Sequence, residues 1–301
     1  MRGSRELLFL LSIVVSEVVH SAACCGGGAN FPSLILSDDR AQIGLSAGSS
    51  IVIGDTNAVG RSVFRSSDDD EWINTLTLDG AVLIADRWQI GGSIPLAQRS
   101  RSTADALATD WGLADNSLTL GYEAIPEFTY SRWKPRGFLY FQLTFPTGGN
   151  IYSATKPFAV DARGRGFYTL SLGTFLIKTW GAWDTSFRIA INRSLNRNFA
   201  AADGSTIAIH PGFDLGAAIA TGYSPQQSDW RFGITLNPAY TAKTNVGRSK
   251  LVWTSSLEAN RLVAQQWALG LVFNDQTLIG PAKNTSLERG IAVSCRYKWP
   301  R

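Results

Sequence analysis

The chain has 301 residues, of which 45% are hydrophobic and 17% are charged, and its formal net charge is +4. Its mean hydropathy is −0.01 and it contains no run of 18 apolar residues, so the pattern argues against a protein that spans a membrane with helices. The small positive charge favours anionic ligands only weakly, and the chain has no basic and aromatic patch that would indicate a nucleic-acid partner.

The amino terminus has the features of a secretory signal. Two arginines precede an apolar stretch over residues 7–15, and Ser21-Ala22-Ala23 fits a small-residue cleavage site. The apolar stretch is too short to cross a membrane. We therefore predict that residues 1–23 are a signal peptide and that the mature chain is exported.

Cleavage at this site would make Cys24 the first mature residue, which marks it as a candidate for lipidation. Ser21 stands where lipoprotein signals usually carry an aliphatic residue, which favours ordinary cleavage with free or paired thiols and leaves lipidation as the alternative. A disulfide between Cys25 and Cys295 is a further alternative in an oxidising compartment. Because it starts with a glycine run, the segment 24–39 is predicted to be a flexible periplasmic leader.

Beyond the leader, apolar residues alternate with small or polar ones in short segments. This period of two is typical of β-strands that have one apolar face and one polar face. Residues 40–301 are predicted to form an all-β domain, a transmembrane antiparallel up-and-down β-barrel of about 12 strands. Counts of 10 or 14 are alternatives, because the connection over residues 125–136 is long for a periplasmic turn. The predicted strands cover residues 40–47, 74–84, 88–96, 117–124, 137–145, 167–176, 183–193, 207–223, 230–240, 251–259, 267–273 and 287–299.

Tryptophan recurs at the start of the predicted strands, and the last strand ends with one. Indole rings favour the membrane interface, so these residues predict a girdle at one rim of the barrel. The connections that carry them are short and alternate with longer ones, which assigns the girdle and both termini to the periplasmic side. The predicted periplasmic aromatic girdle consists of Trp88, Trp183, Trp230, Trp267 and Trp299.

Strand alternation also predicts which side chains face the lumen. Many are Gly, Ala, Ser or Thr, which leave room for water. Charged residues of both signs lie between them, and such residues either line a pore or form an ion-paired plug. The predicted lumen-lining ionisable residues are Arg40, Asp79, Glu123, Asp184, Arg188, His210, Asp214, Arg231, Glu258, Glu288 and Arg296.

Catalysis and metal binding have little support in the sequence. His210 is the only histidine of the predicted mature chain and is expected to face inward, whereas a barrel lipase needs a Ser and His pair at the lipid-facing surface. The three cysteines lack zinc-binding spacing, and no glycine-rich loop is placed to hold phosphate. We predict no enzymatic activity, no metal and no cofactor, with a barrel lipid hydrolase as a remote alternative.

Charged residues of the predicted loops suit a membrane surface. The acidic run Asp68-Asp69-Asp70-Glu71 is expected to be solvated, with a divalent cation at the lipopolysaccharide surface as the alternative. Membrane lipids and lipopolysaccharide are therefore expected partners. The residues expected to contact anionic headgroups are Arg99, Arg101, Arg163, Arg165, Arg193 and Arg197.

Three short runs carry a resemblance to a known family: residues 23–28 (ACCGGG), residues 32–35 (PSLI) and residues 38–42 (DDRAQ). Together they resemble the amino terminus of porin-like outer-membrane β-barrel proteins of predatory and related bacteria. Members of that family form rings of subunits that enclose lipid. The resemblance therefore implies a homo-oligomer with a lipid-trapping role, and it implies no catalytic residues.

The leading hypothesis is a porin-like outer-membrane β-barrel that acts as a passive channel for small solutes, as an oligomeric ring that organises or traps lipid, or as both. A non-conducting structural barrel is the alternative. Strand periodicity does not report the width of a constriction, so no particular solute is predicted.

Overall fold

The computed structural model describes residues 32–66, 68–127, 131–200 and 205–301. The predictions made for the signal peptide, Cys24 and Cys25 lie outside these ranges. The strands are β1 (Asp39–Thr56), β2 (Ser62–Phe64), β3 (Asp70–Leu83), β4 (Trp88–Ser102), β5 (Leu107–Leu113), β6 (Asn116–Ile125), β7 (Arg136–Phe145), β8 (Thr169–Trp180), β9 (Trp183–Ser194), β10 (Arg197–Ala200), β11 (Thr206–Ile209), β12 (Phe213–Tyr223), β13 (Trp230–Thr241), β14 (Lys250–Ala264), β15 (Trp267–Asp275) and β16 (Ser286–Pro300).

Twelve of these strands form a closed antiparallel barrel, as predicted. Each pairs with the next in the order β1, β3, β4, β6, β7, β8, β9, β12, β13, β14, β15, β16, and β16 pairs with β1 to close the circuit. The remaining strands are extensions beyond the wall: β2 pairs with β1, β5 pairs with β4, and β10 pairs with β11. The described residues contain one 3-10 turn, Pro157–Ala159, and no helix long and apolar enough to cross a membrane.

The two ends of the barrel differ in their connections. One end, called the turn end here, holds short connections such as residues 84–87, 181–182 and 265–266. Asp39 pairs with Pro300 at this end, so β1 begins there and β16 ends there. The other end, called the loop end, holds longer segments that include residues 146–168, 195–212 and 276–285.

The outer and inner faces of the wall have opposite character. Apolar residues at outward positions are exposed on the isolated chain, for example Ile234 (58%), Leu269 (46%) and Ile291 (51%). The inward neighbours are polar or small, and Thr235 and Glu258 are buried. An apolar surface of this extent has no place in water, and it is the kind of surface that a barrel presents to lipid.

An aromatic ring surrounds the turn end. The five tryptophans of the predicted girdle all lie there and are exposed on the outer face. Tyrosines of neighbouring strands pack beside them, with ring centroids 4.7 Å apart for Trp88 and Tyr122 and 4.9 Å apart for Trp267 and Tyr297.

One predicted strand is wrong in part. The alternation over residues 207–223 predicts one continuous strand, but residues 210–212 have no strand pairing and separate β11 from β12. Pro211 lies in the break and has no N–H to donate to a neighbouring strand. Residues 207–209 therefore belong to a loop-end hairpin, where Ile209 is fully buried against Phe167 and Phe199 rather than facing lipid.

Candidate functional site

The interior of the barrel contains a buried ion-paired group on β9, β13 and β14, near the turn end. The guanidinium of Arg231 donates to both carboxylate oxygens of Asp184, at 2.7 and 2.6 Å, and to Glu258 Oε2 at 3.4 Å. Thr235 donates its hydroxyl to the other oxygen of Glu258 at 2.8 Å. All three ionic side chains are at most 6% exposed, so the group is a fixed part of the wall rather than a mobile surface pair.

The opposite side of the interior holds the leader. The sequence predicts that the segment 24–39 is flexible and periplasmic. Its described part, residues 32–39, does not extend away from the barrel. Leu34, Ile35 and Leu36 are 3%, 1% and 9% exposed. They turn inward because the chain from β1 folds back into the lumen, where three consecutive apolar side chains escape water.

Two glutamines on the barrel wall fix the leader backbone. The Gln89 amide accepts from Ile35 N at 2.6 Å and donates to Ile35 O at 3.3 Å, much as a neighbouring strand would do. Gln42 donates to Leu34 O at 2.9 Å. Gln89 is 1% exposed, so removing its amide would leave buried backbone groups of the leader without partners.

Close packing accompanies these hydrogen bonds. Gly121 has no side chain, and a Cβ there would lie 2.6 Å from Leu34 Cδ2. A glycine inside a strand often marks such a close approach. Leu34 and Leu36 complete an apolar cluster with inward residues of β7, β8 and β9, namely Phe138, Tyr140, Phe175, Ile177 and Ala190.

An arginine connects the leader to the barrel. Arg136 donates to Glu123 Oε1 at 2.6 Å, to Asp38 Oδ1 at 2.9 Å and to Leu36 O at 3.3 Å. Glu123 is 7% exposed and accepts from the arginine that contacts the leader. The leader and this contact together fill part of the lumen on the side of β4 to β9.

A second segment narrows the lumen at the loop end. Arg99, an inward residue of β4, donates to Ala162 O at 2.8 Å, and Arg163 pairs with Asp110 of β5. On the far side of the segment, Arg165 pairs with Asp214 of β12 at 2.6 Å. The loop 146–168 therefore bridges inward-facing residues of β4 and β12, which are separated by four barrel strands.

The same loop is braced internally by Asp161. Partial burial acts to raise the pKa of Asp161, but the N–H groups of Thr155 and Lys156 donate to its carboxylate at 2.8 and 3.3 Å and keep the pKa below its ordinary value. Asp161 is therefore ionised at neutral pH and keeps these two donors satisfied.

The remaining predicted lumen residues occupy different positions. Asp79 and Arg296 form a long ion pair, 3.7 Å between Oδ2 and Nη2. Arg188 is buried inside the barrel. Glu288 lies near the loop end, where its N–H donates to Gln276 Oε1 at 3.0 Å.

Part of the lumen is open. Near the middle of β12, a Cβ at inward Gly216 would meet no atom within 4 Å, which marks open space there.

Two predicted lumen residues are not where the alternation put them. The pairing of β1 with β16 shifts register between Asp39 and Ala41. Arg40 falls in this shift and is exposed, while Asp39 lies 3.8 Å from the buried ammonium of Lys298. His210 lies in the break between β11 and β12, exposed at the loop end, and its N–H donates to Asn245 Oδ1 at 2.9 Å.

The arginines expected at lipid headgroups are mostly engaged elsewhere. Arg99 and Arg101 face inward and pair with Glu71 and Asp69 at 2.6 and 2.9 Å. The acidic run is thus partly neutralised by arginines instead of being fully solvated. Arg163 and Arg165 belong to the inward loop described above, and Arg197 donates to Gly166 O at 2.7 Å. Only Arg193, among these six, keeps an exposed position on a barrel strand.

Comparison with known proteins identifies the architecture. No protein-family model matches the chain, and no curated protein matches it. An outer membrane channel from Pseudomonas putida F1 is 16% identical in sequence and has a TM-score of 0.71, with 91% of this chain and 100% of that chain covered. The β domain of the Bordetella autotransporter BrkA is 10% identical with a TM-score of 0.50, covering 87% and 100% of the two chains. The NanC porin is 9% identical with a TM-score of 0.48, covering 85% and 99%.

At these identities the first two comparisons establish a shared fold and no more. The chain is a closed 12-stranded antiparallel β-barrel of the kind found in outer-membrane proteins.

Proposed function

We propose that this chain is a bacterial outer-membrane β-barrel that acts as a narrow, porin-like passive channel, with its turn end in the periplasm and its loop end outside. The observation that carries the proposal is the contrast between an exposed apolar outer wall and an ion-paired inner wall with open space at Gly216. A barrel built only for stability would fill its whole interior with packed side chains, whereas the apolar cluster around the leader occupies only the side of β4 to β9. The orientation rests on the general rule that such barrels have short periplasmic turns and long outer loops.

Two constrictions limit what could pass. The leader lies across part of the turn end, and the loop 146–168 lies across the loop end. Charged side chains lie at both constrictions, Arg136 beside the leader and Arg99 and Arg165 at the loop. We therefore expect passage of ions and small polar solutes with a low conductance.

Planar-bilayer recording of the purified protein tests the channel assignment. Small, reproducible conductance steps are the expected result. A silent bilayer with correctly inserted protein would contradict it and favour the non-conducting structural barrel, an alternative that the occupied lumen supports.

The oligomeric, lipid-trapping role implied by the amino-terminal resemblance is a separate prediction. Particle images of detergent-extracted protein are expected to show rings of subunits around a lipid patch if that role is correct. Single barrels would contradict it without affecting the channel assignment.

A charge on the outer wall should be far more damaging than a charge in the lumen. Ile234→Arg places a guanidinium in the middle of β13 on the apolar face, and the expected cost is about 2–4 kcal/mol of folding free energy in lipid vesicles. Gly216→Arg is the matched control because that position faces open lumen. Urea unfolding of the two variants measures the difference, and equal costs would argue against the assigned faces.

A further inference from the structure

Five basic side chains at the loop end have no acidic partner among the described residues. Each one is exposed, and together they extend over three loop-end segments. We call this surface the basic patch, and it consists of Arg61, Lys243, Arg248, Lys250 and Lys283.

Hydrogen bonds join the three segments into one surface. Leu251 and Lys283 exchange backbone hydrogen bonds at 3.1 and 2.8 Å. Asn284 then links both neighbours, because its side-chain amide donates to Ser249 O at 2.8 Å and its N–H donates to Asn57 O at 3.2 Å. These hydrogen bonds hold the three segments together, so the basic side chains share one surface without a bound ligand.

No acidic residue neutralises the patch from within. The segments 57–61, 242–250 and 277–285 contain no Asp or Glu. The flanking carboxylates are already ion-paired, Asp55 with Arg65 at 3.2 Å and Asp275 with Arg289 at 2.6 Å. A surface with like charges and no counter-charge attracts anions from its surroundings.

One segment of the patch also carries exposed apolar side chains. Gly280 has a φ of +82° and lies directly against the ring of Trp253, so this part of the loop covers an outward position of β14. The turn leaves Leu278 and Ile279 63% and 48% exposed, in the segment that also carries Lys283. A soluble anion would use only the charges, whereas a lipid with an anionic headgroup would use both sets of side chains.

We propose that the basic patch binds the phosphate groups of a glycolipid of the outer leaflet, with Leu278 and Ile279 against its acyl chains. This inference rests on the proposed function in one respect, namely that the loop end faces outside. Phosphorylated lipid A is the ligand whose chemistry fits: two phosphates for the charges and several acyl chains for the adjoining apolar surface.

Binding of lipid A to the full-length protein in neutral detergent micelles tests the proposal. The test variant carries Lys243→Gln, Arg248→Gln and Lys250→Gln, all at exposed positions. The matched control removes the same charge at the turn end with Arg132→Gln, Lys134→Gln and Arg301→Gln. Native mass spectrometry with bisphosphorylated and dephosphorylated lipid A gives the affinities.

The test variant should bind bisphosphorylated lipid A on the order of 100-fold more weakly at low ionic strength, while the control binds as the unmodified protein does. Leu278→Ser with Ile279→Ser should also weaken lipid A binding. Equal affinity for dephosphorylated lipid A, unchanged binding by the test variant, or full displacement of the lipid by equimolar inorganic phosphate would each overturn the proposal. Binding in micelles does not depend on conductance. A failure to bind lipid A would therefore leave the channel assignment intact, and a silent bilayer would leave the lipid A proposal intact.

Discussion

Deleting residues 32–36 should raise the single-channel conductance several-fold. The deletion removes the apolar side chains of Leu34, Ile35 and Leu36 from the lumen together with the backbone that Gln89 holds. The two constrictions resist the current in series. The deletion therefore removes the resistance of the leader, while the loop-end constriction sets the conductance that remains. Planar-bilayer recording of the purified deletion variant, with folding checked by heat-dependent gel mobility, measures the effect.

A deletion of the glycines at positions 26–28 is the control for the leader, since it shortens the leader without removing its buried residues. Gln89→Ala is expected to give an intermediate result, with frequent switching between the two conductance levels, because the leader stays but loses two hydrogen bonds. A deletion variant that folds and conducts like the unmodified protein would show that the leader does not limit passage.

The second large effect is expected at the buried ion-paired group. Arg231→Met should destabilise the barrel by about 3–5 kcal/mol, because it leaves the carboxylates of Asp184 and Glu258 buried without their cation. Urea unfolding in lipid vesicles, followed by tryptophan fluorescence, is the measurement.

The control for this group removes all of its charges. The triple variant Asp184→Asn, Arg231→Met and Glu258→Gln should recover most of the lost stability, since no uncompensated charge remains. If the triple variant is as unstable as Arg231→Met alone, the loss of stability comes from disrupted packing around Arg231 and not from unpaired buried charges.

The strands were predictable because each one obeys the same local rule. A residue that faces lipid must be apolar and its neighbour faces the lumen, so the period of two is visible in every segment from Trp88 to Trp299. The same rule was applied too widely at residues 207–223. Ile207, Ile209 and Phe213 keep the period across a break, and the only local sign of that break is Pro211.

The occupied lumen was not predictable from periodicity. The leader reaches Gln89, which is 54 positions from Ile35 in the chain, and the loop 146–168 reaches Asp214 through Arg165. Such contacts depend on closure of the barrel, which no local pattern reports. The inward glycines Gly91 and Gly121 are hints in the sequence, since each lies against the leader and a strand residue without a side chain often marks a close approach of another segment.

Arg40 illustrates a third limit of prediction from strand alternation. A single extra residue in one strand reverses the face of everything beyond it, and the register shift beside Arg40 leaves no mark in the sequence. The basic patch was missed for a related reason. Its residues come from three separate loops, and only the folded chain brings them to one surface.

Spin labels at neighbouring positions of the wall test the central claim, that an apolar face contacts lipid and a polar face encloses a wetted lumen. Single labels at Leu215, Gly216 and Ile234, in a cysteine-free protein in lipid vesicles, are compared for collision with oxygen and with a water-soluble nickel complex. The labels at Leu215 and Ile234 should collide mainly with oxygen, which concentrates in the bilayer, and the label at Gly216 mainly with the nickel complex. Equal collision rates for Leu215 and Gly216 would contradict the account.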